Sequence, residues 1–254
     1  EKGLQWSVKK LAGKGLLHED TDKILDRLTY ENDLSSASGA DWIIEAVLEV
    51  ETLKIDLFKA LEKDIPATTP LATNTSSIPI TRMAAHLRRP ERLLGLHFFG
   101  PVPFMGLVEV VKGEQTSDTV FQAGVDFVNT LGKTPVRVNR DIPGFVMNRI
   151  FSAAFREAVD LVSDGIVSPE DVDAGMRLGY GWNVGPFEVA DNAGLDTFAL
   201  VGQSLAELGE EGLVTKSDLL LKMIAQGRLG RKVGKGFYRY SQDGKRLPYG
   251  EEDE

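Results

Sequence analysis

The rhythm of the chain changes at Asp141-Ile142-Pro143-Gly144, and that break constrains the fold more than any other feature. Before it, short apolar runs of strand length alternate with stretches of helical spacing. Asp41 to Leu48 (DWIIEAVL) reads as a strand, and Glu51 to Lys63 follows with apolar residues at Leu53, Leu57, Phe58 and Leu61, one face of a helix. Leu71 to Thr73, Leu93 to Phe99, Leu107 to Val111 and Thr134 to Val138 read as further strands. Pro79 opens a helical stretch ending near Leu87, and Ser117 to Leu131 forms another with Gly132 as its stop. After the break the patterns are almost only helical: Phe145 to Ser163, Pro169 to Leu178, Phe187 to Leu208 interrupted at Gly194, and Leu219 to Gln226. Ser168-Pro169-Glu170-Asp171 supplies a cap, a proline at the first helical position and acids in the first turn.

Alternating strands and helices predict a mostly parallel, doubly wound α/β sheet domain over residues 1–142, and the second pattern predicts an all-α domain over residues 143–254. Residues 2 to 17 suit an amphipathic helix that begins without a preceding strand, so the first domain reads as N-terminally incomplete. The tail after Tyr240, ending GEEDE, is polar and reads as loose.

Composition excludes several function classes. A formal charge of -9 and the lack of any Lys/Arg block argue against nucleic acid as a partner, although a local basic pocket can still hold an anion. Zero cysteines remove disulfides and thiolate chemistry, and three histidines make a metal site a poor expectation. No apolar run approaches the roughly 18 to 20 residues of a membrane span. The opening EKGLQWSVKK lacks the apolar stretch of a signal peptide, and the chain reads as cytoplasmic.

Chemistry-bearing residues gather where strands end. His97, in HFFGPVP, closes an apolar strand at the carboxyl edge of the sheet, the edge where open α/β folds hold ligands. Pro101 and Pro103 fix the following turn, and a sharp return brings Glu109 on the next strand back toward the imidazole. A His–carboxylate pair suits proton transfer, because the carboxylate selects the tautomer and stabilises the imidazolium. By itself, a strand histidine beside aromatics reads first as packed core. Asn74-Thr75-Ser76-Ser77 reads first as a strand-to-helix turn with hydroxyl caps, lying at the same sheet edge. Asn148 stands just past the domain break, at the start of the long helix.

NTSS, HFFGPVP, LVEVV, DIPGFVMNR, VGPFEVAD and GRKVGKGFYRY occur in an order that resembles the L-3-hydroxyacyl-CoA dehydrogenase family over essentially the whole chain. The resemblance implies a Rossmann-like domain, a helical domain that forms a homodimer, and NAD-dependent, reversible oxidation of L-3-hydroxyacyl-CoA to 3-ketoacyl-CoA in fatty acid beta-oxidation or butanoate metabolism. It further implies His97 as catalytic base, Glu109 as its supporting carboxylate, and Ser76 and Asn148 as groups that hold the substrate. Glu49, Lys54, Asn74, Ser76 and Lys232 match positions near the cofactor, and Ser7 and Lys14 match residues that bind the CoA moiety. Without the resemblance, Glu49, Lys54 and Lys232 read as solvated surface charge.

Two departures qualify these expectations. Gly100 stands where the family usually has an asparagine whose side chain touches the cofactor. The G-x-G-x-x-G turn and the later acid that reads the ribose are absent, and neither GKG at 13–15 nor GKG at 234–236 follows a strand and opens a helix. The chain therefore reads as lacking a first βαβ portion and its pyrophosphate cradle, with weakened NAD binding expected. Two rival readings follow: a non-catalytic acyl-CoA-binding or structural relative, or a dehydrogenase of another hydroxy acid on the same fold.

Overall fold

The computed structural model describes residues 2–248. The pentapeptide GEEDE, expected to be loose, lies outside the described residues. The chain divides into two compact units, Glu1–Ile142 and Pro143–Glu254.

The first unit carries a five-stranded sheet in the order β1-β2-β3-β4-β5. Its strands are β1 Ile43–Glu45, β2 Leu71–Thr73, β3 Leu93–Phe98, β4 Leu107–Val111 and β5 Thr134–Val138. Pairing is parallel throughout except between β3 and β4, which run antiparallel. The exception follows from the chain itself, because the short turn through Pro101 and Pro103 leaves no room for a crossover helix. The helices of this unit are α1 Lys2–Gly13, α2 Thr21–Leu25, α3 Glu51–Leu61, α4 Ile80–Ala84 and α5 Asp118–Thr130.

Alternation along β3 and β4 sorts the faces. Leu94, Leu96, Val108 and Val110 pack with Ala72 against Phe121, Val125 and Val128 of α5. Gly124 brings α5 close, since a Cβ there would lie 2.4 Å from Leu94 Cδ1. Gly95, His97, Glu109 and Val111 occupy the opposite face in direct cross-strand register, Gly95 with Val111 and His97 with Glu109. Ile80 of α4 covers that face, and its Cδ1 would meet a Cβ on Gly95 at 3.0 Å. Asp141 fastens α4 in place by accepting from Thr81 N and Thr81 Oγ1, both at 2.7 Å.

The strand expected over 41–48 is limited to Ile43–Glu45. The Glu45 carboxylate accepts from Val47 N at 2.6 Å, and that bond turns the chain out of the sheet.

The second unit is built from α6 Met147–Ser163, α7 Pro169–Tyr180, α8 Pro186–Ala193, α9 Leu195–Glu207 and α10 Leu219–Ala225. Phe145, just ahead of α6, takes φ 46 and is fully buried. A non-glycine residue in this region is disfavoured by about 1–3 kcal/mol, and burial of the ring offsets it. The core joins Phe155, Val159, Phe187, Leu195, Leu220 and Met223 with Tyr238 and Tyr240. Those tyrosines lie beyond the last expected helix, Leu219 to Gln226, in a segment that continues into the stretch after Tyr240 expected to be loose. Instead of trailing away, it folds back through bridges pairing Gly230 with Lys235, Lys235 with Arg239 and Tyr240 with Arg246.

Candidate active site

His97 lies next to the carboxyl end of β3, 7% exposed, and Glu109 is fully buried opposite it. The imidazole Nδ1 stands 2.7 Å from Glu109 Oε2. With Glu109 ionised, this contact keeps the ring proton on Nδ1, so proton exchange falls to Nε2. Phe99 lies against the imidazole with ring centroids 4.6 Å apart. The loop between the strands is held by Lys133, whose ammonium donates to Val102 O at 2.8 Å and Met105 O at 2.6 Å.

The Asn74–Ser77 turn sits beside this pair, at the ends of β1 and β2. Asn74 N donates to Glu45 O at 2.8 Å, and Asn74 Oδ1 accepts from Phe98 N at 2.9 Å, so one residue ties the ends of β1, β2 and β3. Ser76 is half-buried, and its backbone N–H donates to Glu49 Oε1 at 3.0 Å. The same Glu49 oxygen accepts from Thr75 Oγ1 at 2.5 Å and from Ser77 N at 3.3 Å. Burial raises the Glu49 carboxyl, but the Thr75 hydroxyl, the Lys54 ammonium and the Ser76 N–H outweigh it and hold the group below the usual carboxylate range.

Lys54 is not the solvated surface lysine that its charge alone suggests. It is 1% exposed, with its ammonium 2.8 Å from Glu45 Oε1, 3.2 Å from Glu49 Oε2 and 3.3 Å from Val47 O. Its methylenes sit with Ile55 and Phe58 on the buried side of α3, and carboxylates meet the charge at the tip.

Ser7 is half-buried on α1 and Lys14 is exposed just past its end. The Lys14 ammonium lies 4.6 Å from the centroid of Phe104, in the loop that follows His97. Asn148 and Lys232 belong to the second unit. Asn148 is half-buried at the second position of α6. Both carboxylate oxygens of Asp196 accept from the Lys232 ammonium at 2.6 Å, beside Gly194.

The 3-hydroxyacyl-CoA dehydrogenase NAD binding domain matches residues 1–142, and the 3-hydroxyacyl-CoA dehydrogenase C-terminal domain matches residues 144–240. The chain belongs to the 3-hydroxyacyl-CoA dehydrogenase family. It is 41% identical over 237 residues to a probable 3-hydroxybutyryl-CoA dehydrogenase of Deinococcus radiodurans, covering 93% of this chain and 85% of that protein. The human mitochondrial hydroxyacyl-coenzyme A dehydrogenase is 40% identical, with 94% of this chain and 79% of that protein covered. The crystal structure of (S)-3-hydroxybutyryl-CoA dehydrogenase from Ralstonia eutropha superposes with a TM-score of 0.85 at 39% identity, covering 93% of this chain and 83% of that one.

In this dehydrogenase the motifs VGPFEVAD and GRKVGKGFYRY have a structural use that the sequence reading missed. Asp191 is fully buried, and its carboxylate accepts from Phe237 N at 2.9 Å, Tyr238 N at 2.8 Å and Tyr240 Oη at 3.1 Å. Gly236 is required there, since a Cβ would lie 2.0 Å from Asp191 Oδ1. Asp173, also buried, accepts from Phe187 N and Glu188 N at the start of α8 and from the Tyr238 hydroxyl at 2.7 Å. Burial pushes both carboxyls above the usual range against the pull of these donors.

At the sheet edge the Asn74–Ser77 turn, Glu49 and Lys54 bring hydroxyl, amide, carboxylate and ammonium groups together. The turns from β1 to α3 and from β2 to α4 contain no glycine pair for a pyrophosphate. Among the described residues no group of three or more His, Asp or Glu side chains is arranged to hold a metal ion.

Proposed function

We propose that the protein oxidises the 3-hydroxyl of an L-3-hydroxyacyl-CoA to a ketone, reversibly, with NAD as the cofactor. The observation that carries this reading is the buried His97–Glu109 pair, 2.7 Å apart at the carboxyl end of β3. When bound, NAD would supply the hydride acceptor for C3, and the chain's own residues receive the proton of the substrate hydroxyl. His97 Nε2 takes that proton, and the facing Glu109 carboxylate stabilises the resulting imidazolium. In the reverse direction the same imidazolium returns the proton to the forming alkoxide.

Ser76 holds the reacting oxygen by its hydroxyl, and Asn148 positions the substrate. Glu49, Lys54 and Asn74 support the cofactor, directly or by holding the turn that bears Ser76, and Lys232 is a further candidate for cofactor binding. Ser7 and Lys14 receive the CoA moiety, the ammonium meeting a phosphate. Gly100 supplies no side chain to this site.

The helical second unit serves as the dimerisation domain of a cytoplasmic homodimer. Exposed Leu178, Tyr180 and Leu200 support the dimer, being large apolar residues on its surface. The lack of cysteine suits a reducing compartment. Among the described residues no helix is long and apolar enough to cross a membrane.

Titration with NADH and with acetoacetyl-CoA separately, followed by turnover with both, tests the reading. Binding of each and oxidation of NADH on mixing are expected. Acetoacetyl-CoA binding without NADH binding would instead indicate a non-catalytic CoA-binding protein.

A further inference from the structure

We infer that Glu45 is a positioning residue for the cofactor end of this site, acting through Lys54 on Glu49 and the turn that bears Ser76. The inference rests on the dehydrogenase reading above and deepens it.

Glu45 has a fully buried side chain, and every oxygen of it is committed. Oε1 accepts from Lys54 Nζ at 2.8 Å and from Val47 N at 2.6 Å, while Oε2 accepts from Thr73 Oγ1 at 2.7 Å. Its backbone carbonyl accepts from Asn74 N at 2.8 Å, so the residue also fixes the start of the Asn74–Ser77 turn. A buried carboxylate is tolerated only where charge and hydrogen bonds compensate its desolvation, and these donors do so.

Charge decides how the network works. A buried ammonium between two carboxylates is shared, and its pull on each depends on the other. With Glu45 ionised, Lys54 is held on the β1 side at 2.8 Å, and Glu49 stands slightly farther at 3.2 Å through Oε2. Glu49 therefore keeps Oε1 for Thr75, Ser76 and Ser77. If Glu45 loses its charge, Glu49 becomes the sole anion for Lys54 and is drawn toward it, away from the turn. The net charge of the cluster also falls from one negative to zero, which alters its preference between the cationic oxidised nicotinamide and the neutral reduced one.

Glu45→Gln in the full chain tests this. The amide retains the shape and one acceptor but cannot serve all the donors. The expected result is a roughly tenfold rise in the KM for NAD, equivalent to about 1.4 kcal/mol, with kcat at saturating NAD kept within about twofold. The KM for NADH should rise less than that for NAD, because the lost charge favours only the cation. In a Lys54→Met background, Glu45→Gln should have little further effect on KM, since the path between the residues is already cut.

If Glu45→Gln does not fold, Thr73→Val removes one of the carboxylate's donors and should raise the KM for NAD by roughly two- to threefold, the weight of one hydrogen bond. A purely structural role for Glu45 predicts lower thermal stability and kcat with KM unchanged, and that outcome overturns the inference. So does an equal KM effect of Glu45→Gln with and without Lys54. Failure of the wild-type chain to bind NADH would overturn the dehydrogenase reading and this inference with it, whereas normal wild-type binding with an unchanged variant overturns the inference alone.

Discussion

Replacing Asp191 by asparagine takes one acceptor oxygen from a buried position where both are in use. With the new amide nitrogen at the Oδ1 site, it opposes the Phe237 N–H; at the Oδ2 site it opposes the Tyr238 N–H, while the Tyr240 hydroxyl can turn to accept. Either way one backbone donor is stranded, which costs about 1–3 kcal/mol. The surviving hydrogen bonds lose their charge assistance, roughly 1 kcal/mol more. Against this, asparagine buries no charge, and burial opposes ionisation of Asp191. The net expectation is a loss of about 2–3 kcal/mol, within the span seen when a buried polar network is broken. Urea unfolding followed by aromatic circular dichroism measures it, with a lower midpoint and an unchanged m-value expected. A change under about 0.5 kcal/mol, the usual effect of a surface substitution, would refute the reasoning.

Other expectations follow from the same geometry. Gly236→Ala places a methyl against the Asp191 carboxylate and should destabilise by about 1–3 kcal/mol or more, read as a lower thermal midpoint; an unchanged midpoint would show that the wrap around Asp191 is loose. Glu49 is held below its ordinary value of 4.5, so its contribution to stability is full above that pH and is lost as pH falls through its lower folded value. Glu49→Gln should therefore show a shallower loss of stability on acidification below 4.5 than wild type, and parallel curves would contradict this. A Cβ on Gly100 meets nothing within 4 Å, so Gly100→Asn should leave the denaturation midpoint within about 0.5 kcal/mol of wild type. The same variant should tighten NADH binding in a direct titration; equal or weaker binding would remove the significance given to that departure from the family pattern.

Much of the fold was legible because periodicity reports burial. The runs around Leu96 and Val110 alternate against α5, and Ser117 and Ser168 cap α5 and α7 through their hydroxyls, accepting from Val120 N and Asp171 N. The His97–Glu109 pairing was readable for a related reason: two short strands joined by a proline turn return antiparallel and place their facing residues in register. Acids whose partners are distant in sequence were not legible. Asp191 bonds to backbone groups 46 and 47 residues away, and no local pattern encodes that contact. Glu45 did leave a trace, being an acid inside the apolar run IIEAVL, where an unpaired charge is not tolerated. Taken by its charge alone Lys54 reads as surface; Glu45 and Glu49 are what allow it to be buried. The short β1 has the same origin, since Glu45 captures Val47 N and ends the strand early.

The central claim is that His97 moves the substrate proton with Glu109 behind it. The most direct test is the turnover number for reduction of acetoacetyl-CoA by NADH, compared between wild type and His97→Gln at saturating concentrations of both. Proton transfer by His97 predicts a fall of roughly 10²- to 10⁴-fold, the span for losing a general acid–base group, with NADH affinity retained. Turnover equal to wild type would contradict it.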